Sequence, residues 1–239
     1  MVHLMYHDIV TREDTSSGFQ NSSAFQYKVE AGKFEAQVRE LAGKEEVTFT
    51  FDDGGVSFLT VAAPILEAYG RRGIFFISTK YLGTPGFLTA EQVRELEKRG
   101  HKIGSHSHSH PDNIAALSRK EMDEEWRESV GLLEAILGHR VEVASIPNGY
   151  GSKQLDAAAM EAGIRELYTS VPTTKALFSH GLRMIGRYVV HRDMTVEDVV
   201  AMVEDGGHRR KMYLRWYVLS LAKKMLGSNY DKLKARFVK

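Results

Sequence analysis

The sequence predicts an α/β protein built around a parallel sheet or barrel. Three observations carry this reading. Strand-like and helix-like segments alternate along the chain, seven of the segments read as strands, and the residues best suited to chemistry fall just after strands. The length of 239 residues fits one such barrel, and 43% hydrophobic with 26% charged residues is ordinary globular composition.

Taken in order, the predicted strands cover Val2–His7, Glu46–Phe51, Ile74–Thr79, Lys102–His106, Val141–Ile146, Leu167–Val171 and Ile185–Val190. The middle ones are short and apolar, as strands covered on both faces should be. Val61–Tyr69 carries apolar residues at helical spacing and stops at Gly70. Thr89 with Gln92, and Ser118 with Glu121, have the spacing of capping boxes, so helices follow to Arg99 and to about Leu137. Ser152 to Ala162 reads as a helix ended by Gly163, and Thr195 caps another through Val203. Asp8 to Gly32 lacks periodicity; it reads either as a functional loop or as a surface excursion.

Composition narrows the chemistry. Without cysteine there is no disulfide frame and no thiolate metal site, so any metal is held by His, Asp or Glu. The opening MVHLMYHDIV does not have the pattern of a signal peptide, and no stretch is apolar enough to span a bilayer, so the chain as it stands reads as cytoplasmic. The net charge of +1 hides an asymmetry: residues 208–239 hold ten Lys or Arg against one acidic residue, whereas residues 1–207 carry a net −8. We therefore divide the chain into a barrel domain, 1–207, and a basic tail, 208–239.

Two clusters suggest a site. In TFTFDDGG, Asp52 and Asp53 follow a strand directly and point apart, so one can bind a metal while the other stays free as a base. Asp-Gly is also an ordinary turn signal. In GSHSHSHP, His106 and His110 lie four apart; on a helical turn they would share a face and chelate one ion. One carboxylate with two imidazoles suits zinc or another first-row metal, and it matches the facial triad of non-haem iron oxygenases as well. Those oxygenases sit on cupin-like folds with an H-x-D spacing, and neither is present. A third strand end carries Pro147-Asn148-Gly149.

These motifs, in this order, resemble the polysaccharide deacetylase (NodB-homology) family of carbohydrate esterases. The T-F-D-D-G motif stands as Thr50-Phe51-Asp52-Asp53-Gly54, the H-S/T-x-x-H motif as His106 to His110, and the third motif as Ser145-Ile146-Pro147-Asn148-Gly149. LMYHDI and FLTAEQVRELEKRGHKIGSHSHSHP look like the family too, so the likeness covers roughly residues 3–205.

The resemblance implies a distorted (β/α)7 barrel, in agreement with the seven strands counted. It implies removal of acetyl groups from N-acetylated glycans. Asp53, His106 and His110 would hold a divalent metal, Zn2+ first, with Co2+, Mn2+ or Ni2+ as alternatives. Asp52 would be the base, and Asn148, through its backbone N–H, part of the oxyanion hole, with Pro147 and Tyr150 beside it toward substrate. His108 falls at a variable position.

The chain departs from the pattern in three places. Ser145 replaces the arginine that braces the base; Arg187 is the candidate substitute. The tryptophan-bearing fourth motif is missing where the chain reads YTSVPTTK. The general-acid histidine is not marked, and His191 is the first candidate and His7 the second. A weakly active sugar-binding protein, or an amidase acting on a non-sugar amide, would use the same scaffold.

In the tail, Leu214, Tyr217, Val218, Leu221 and Met225 recur at helical steps among basic residues. Such a helix either lies on an anionic membrane, making the protein peripheral to it, or packs against the barrel or a second copy of the chain. Nucleic acid is not expected, because the acidic barrel would repel phosphates.

Overall fold

The structure is a computed structural model that describes residues 1–179 and 181–226. In chain order the strands are β1 (Val2–Tyr6), β2 (Ile9–Val10), β3 (Val29–Glu30), β4 (Val47–Phe51), β5 (Gly73–Ile77), β6 (Lys102–Ser105), β7 (Val143–Ser145), β8 (Glu166–Tyr168), β9 (Leu177–Ser179), β10 (Leu182–Ile185) and β11 (Tyr188–Val189). The helices are α1 (Ser22–Phe25), α2 (Ala31–Leu41), α3 (Ala63–Ala68), α4 (Ala90–Lys98), α5 (Arg119–Leu137), α6 (Lys153–Glu161), α7 (Val196–Glu204) and α8 (Gly206–Leu226).

One curled sheet runs β11-β1-β4-β5-β6-β7-β8-β10-β9. Every pairing in it is parallel except β9 with β10. β1 and β5 are buried along their whole length, which explains the apolar run of β5 and the largely apolar β1, broken only by the buried His3. The aromatic rings of Tyr6, Phe34, Phe49, Phe51, Phe58 and Phe75 pack within the main core. The architecture is the distorted (β/α)7 barrel, with seven staves if β10 and β11 are counted as one.

That seventh stave corrects the predicted strand Ile185–Val190. It is two pieces: β10 pairs with β8, β11 pairs with β1, and the chain crosses the seam at Gly186 and Arg187. A Cβ on Gly186 would lie 2.5 Å from Val171 O, so only glycine lets the backbone pass so close. The Arg187 N–H donates to Val171 O at 3.0 Å, and its side chain is buried at 1% exposure. The barrel is distorted because the seam is bridged by covalent chain instead of a ladder.

The capping boxes at Thr89, Ser118 and Thr195 form as the spacing requires. The helix expected from Val61 begins earlier, in a wide π-helical turn over Phe58–Ala62. The sequence reading passed over α2. Its buried face is Phe34, Gln37, Val38 and Leu41, and the polar Gln37 masks the apolar period. Inside, its Oε1 accepts the Tyr6 hydroxyl at 3.0 Å, while its Nε2 is buried without a partner.

Residues 8–32 hold short elements of their own. β2 and β3 pair in parallel, and α1 lies between them in the chain. The buried Asp8 carboxylate accepts the hydroxyls of Ser17 at 2.5 Å and Ser57 at 2.9 Å, tying this segment to the turn after β4. A Cβ on Gly55 would fall 1.9 Å from Asp8 Oδ1, so this glycine serves the junction too. α8 packs against α7, and no helix among the described residues is long and apolar enough to cross a membrane. Residues 227–239, the end of the predicted tail, lie outside the described residues.

Candidate active site

The strand ends place three clusters around one cleft. Asp52 and Asp53 follow β4, His106 follows β6, and Asn148 lies just beyond β7. They line a cavity of about 720 Å³ together with His7, His110, Gly149 and Tyr150, a size ordinary for a small-molecule site.

Asp53 Oδ1 lies 3.4 Å from His106 Nε2 and 3.3 Å from His110 Nε2. The three ligand atoms all fall within 4.8 Å of one another. Neither approach has hydrogen-bond geometry, and Asp53 Oδ1 is buried without a donor. The His106 Nδ1 lies 3.1 Å from Ser145 O, which assigns its proton to that side and leaves the Nε2 lone pair facing Asp53. Converging lone pairs on a buried carboxylate and imidazoles are an arrangement that could hold a cation. Without a cation, a proton is drawn in. Burial alone would lower His110, but attraction to Asp53 raises it above its ordinary value. Asp53 is held well below the carboxylate range: burial opposes this, but the two histidines outweigh it.

The two histidines do not meet on a helical turn, contrary to the i,i+4 argument. Residues 106–110 form an irregular loop in which Ser107 has φ 62° and His110 φ 53°. Ser107 Oγ accepts the His110 N–H at 3.2 Å. Glu125, on α5, accepts the N–H groups of His108 at 2.9 Å and Ser109 at 2.8 Å, and the Ser109 hydroxyl as well. This clamp was not legible in the sequence, since Glu125 sits in a charged helix surface. His108 points elsewhere: its Nδ1 lies 3.0 Å from Thr79 Oγ1 and its Nε2 3.4 Å from Glu128.

Left-handed backbone is concentrated here. Among the described residues, the non-glycine residues with positive φ are Asp53, Ser107, His110 and Asn148. Each costs on the order of 1 kcal/mol or more, and such strain persists where surrounding contacts enforce it.

Asp52 stands apart from the cluster, its Oδ2 4.0 Å from His106 Nε2. Arg187 grips it bidentately, Nη1 to Oδ1 at 2.6 Å and Nη2 to Oδ2 at 2.7 Å. The guanidinium also donates to Thr169 O and Thr50 Oγ1, and it lies over Phe76 and Tyr168. Ser145, at the third-motif arginine position, donates to Asp52 Oδ1 at 3.1 Å. Burial would raise the Asp52 carboxyl, but Arg187 and then His106 outweigh it and hold it below its ordinary value.

The two candidate acids occupy different places. His7 lines the cavity. Its ring stacks on Tyr27 at 4.5 Å, and burial pulls it below its ordinary value. His191 is not among the lining residues; it lies against Tyr27 at 5.0 Å. Pro147 is buried and also off the lining, whereas Asn148 is exposed at the cleft with φ 55°. The segment read as aperiodic supplies one wall, through Phe19, Asn21 and Tyr27. Phe19 lies 5.0 Å from the His110 ring.

Fold and site together define a barrel with a cluster of one carboxylate and two imidazoles that could hold a cation, beside a second carboxylate braced by arginine. The chain belongs to the polysaccharide deacetylase family, whose sequence pattern matches residues 40–167. YxkH of Bacillus subtilis (strain 168) is 28% identical over 146 residues, 61% of this chain and 50% of YxkH. The chain spans about half the length or less of the first curated relatives it matches. The deacetylase PplD of Streptococcus pyogenes, solved in complex with acetate, superposes with a TM-score of 0.69 at 21% identity, covering 85% of this chain and 98% of PplD. A polysaccharide deacetylase from Bacillus cereus gives 0.71 at 20% identity, over 85% of this chain and 68% of that one. At such identities these two structures establish the shared fold.

Proposed function

We propose that the protein hydrolyses the acetamido group of an N-acetylated glycan, releasing acetate and leaving a free amine on the sugar. The observation that carries this is the buried Asp53–His106–His110 cluster set beside a carboxylate, Asp52, that Arg187 keeps ionised and out of that cluster. Family membership supports the acetylated substrate.

A divalent cation held by Asp53, His106 and His110, Zn2+ first and Co2+, Mn2+ or Ni2+ as alternatives, would supply a Lewis acid that polarises the acetyl carbonyl and acidifies water. Asp52 is ionised at neutral pH and takes the proton of the attacking water, with Arg187 and Ser145 fixing both of its oxygens. The carbonyl oxygen becomes an oxyanion, toward which the Asn148 N–H contributes a donor. His7 takes up a proton from solvent as negative charge develops and passes it to the amine nitrogen, the C–N bond breaks, acetate leaves, and the proton on Asp52 returns to solvent. Burial keeps His7 neutral at rest, and the negative charge that develops on the tetrahedral species raises its affinity for that proton. His7 is preferred to His191 because it lines the cleft. Tyr150 and Asn148 stand where the sugar would lie.

The test is acetate release from N-acetylglucosamine oligomers, chitin oligomers and peptidoglycan, with small non-sugar amides alongside. Wild type should release acetate from at least one glycan. Asp52→Asn should bind metal normally and lose at least a thousandfold in rate. Near-normal turnover in that variant would remove Asp52 from the chemistry.

A further inference from the structure

α8 begins as an anchored helix and continues as an unpartnered one. The Arg209 guanidinium caps α7 by donating to Met202 O and Val203 O, and Met212 packs on the main core. Beyond that point large apolar side chains face solvent: Tyr213 is 44% exposed, Leu214 61%, Tyr217 47%, Val218 56% and Leu221 43%. At 100° per residue these five fall within one stripe about 140° wide; Leu219, 42% exposed, lies outside it. An exposed stripe of this kind is uncommon on a soluble surface unless something covers it.

Charge selects the occupant. Between Gly206 and Leu226 there are six Lys or Arg and no Asp or Glu. Lys211 and Arg215 border the stripe on one side, Arg210 stands at its start, and Lys223 and Lys224 follow it in sequence. Two such helices meeting face to face would bring like charges together without a counter-charge from either. A bilayer rich in anionic lipid offers both an apolar layer for the stripe and negative headgroups for the flanking cations. Ring-bearing Tyr213, Trp216 and Tyr217 are the residue types that settle at such an interface.

We propose that α8 is an in-plane docking element for an anionic membrane surface, with Tyr213, Leu214, Tyr217, Val218 and Leu221 seated among the acyl chains and the basic residues among headgroups. The helix lies on the bilayer and does not cross it, as its composition requires. This inference is independent of the chemistry assigned to the cleft.

The experiment is sedimentation of the full chain with phosphatidylcholine vesicles, with and without phosphatidylglycerol at about one lipid in three. Binding is expected to the anionic vesicles and to fall as salt is raised. Each basic residue near such a surface is worth roughly fivefold in partitioning. The triple variant Arg210→Gln/Lys211→Gln/Arg215→Gln should therefore bind about a hundredfold more weakly. Leu214→Asn/Val218→Asn should lose at least tenfold, and both variants should keep the wild-type unfolding midpoint, since these side chains are exposed. No binding to anionic vesicles, equal binding to neutral ones, or binding unchanged in the triple variant would each overturn the proposal. So would a lipid-independent dimer that Leu214→Asn/Val218→Asn dissociates, which would assign the stripe to a second copy.

Discussion

Replacing Arg187 by Met removes the guanidinium from Asp52 while keeping a side chain long enough to fill the space beside Phe76 and Tyr168. The wild-type pair is buried, with Arg187 at 1% and Asp52 at 2% exposure, and it is held by two charge-assisted hydrogen bonds. Breaking a buried pair by deleting one partner costs about 3–5 kcal/mol, because the remaining charge is left uncompensated. For a chain of this size each kcal/mol moves the midpoint by about 2–4 °C, so thermal unfolding should shift down by roughly 6–20 °C.

The pH dependence of Arg187→Met should change sign. In wild type the Asp52 carboxyl is depressed, so its ionisation contributes stability that is present above the unfolded value of about 3.9 and lost as pH falls through the lower folded value. In Arg187→Met, burial dominates and lifts the folded value above the unfolded one. Stability from this group is then lost as pH rises through that window, and the acid limb of acetate release moves to higher pH. The assay is calorimetry from pH 3 to 8 with the matching rate profile, and Asp52→Asn/Arg187→Met should recover much of the lost stability. An Arg187→Met protein that melts within 2 °C of wild type, with an unmoved acid limb, would refute the bracing argument.

Glu125→Ala should loosen the loop that carries His110 and weaken metal binding by about 10–100-fold, read by competition with a chromogenic chelator; an unchanged affinity would mean the clamp is dispensable. His7→Ala should lose most of the rate while His191→Ala retains it, and the reverse outcome would return the acid role to His191. Gly186→Ala should destabilise by about 1–3 kcal/mol, because its Cβ would meet Val171 O at 2.5 Å; an unchanged midpoint in chemical unfolding would show that the seam has slack.

Much of this protein was legible from local signals. Caps at Thr89, Ser118 and Thr195 act within one helical turn, so their spacing alone marks helix starts. Buried strands announce themselves as short apolar runs, and Asp53, His106 and His110 stood out because polar residues follow those runs directly. α2 escaped because Gln37 occupies a core position, where its Oε1 accepts the hydroxyl of Tyr6, 31 residues away. The i,i+4 spacing of the two histidines suggested a helical turn, whereas a left-handed loop clamped by Glu125 brings them together.

By itself, then, the sequence determined most of the barrel strands, the capped helices between them and the strand ends at which polar residues collect, all of which rest on interactions within a few residues. Only the tertiary structure decided which distant groups meet. Arg187 reaches Asp52 across 135 residues because the barrel seam breaks at Gly186 and turns the side chain inward. His7 and not His191 lines the cleft, with Tyr27 of the segment over residues 8–32 against both rings. Such meetings depend on the curvature of the sheet and on where its seam falls, and neither quantity is encoded in any short stretch of chain.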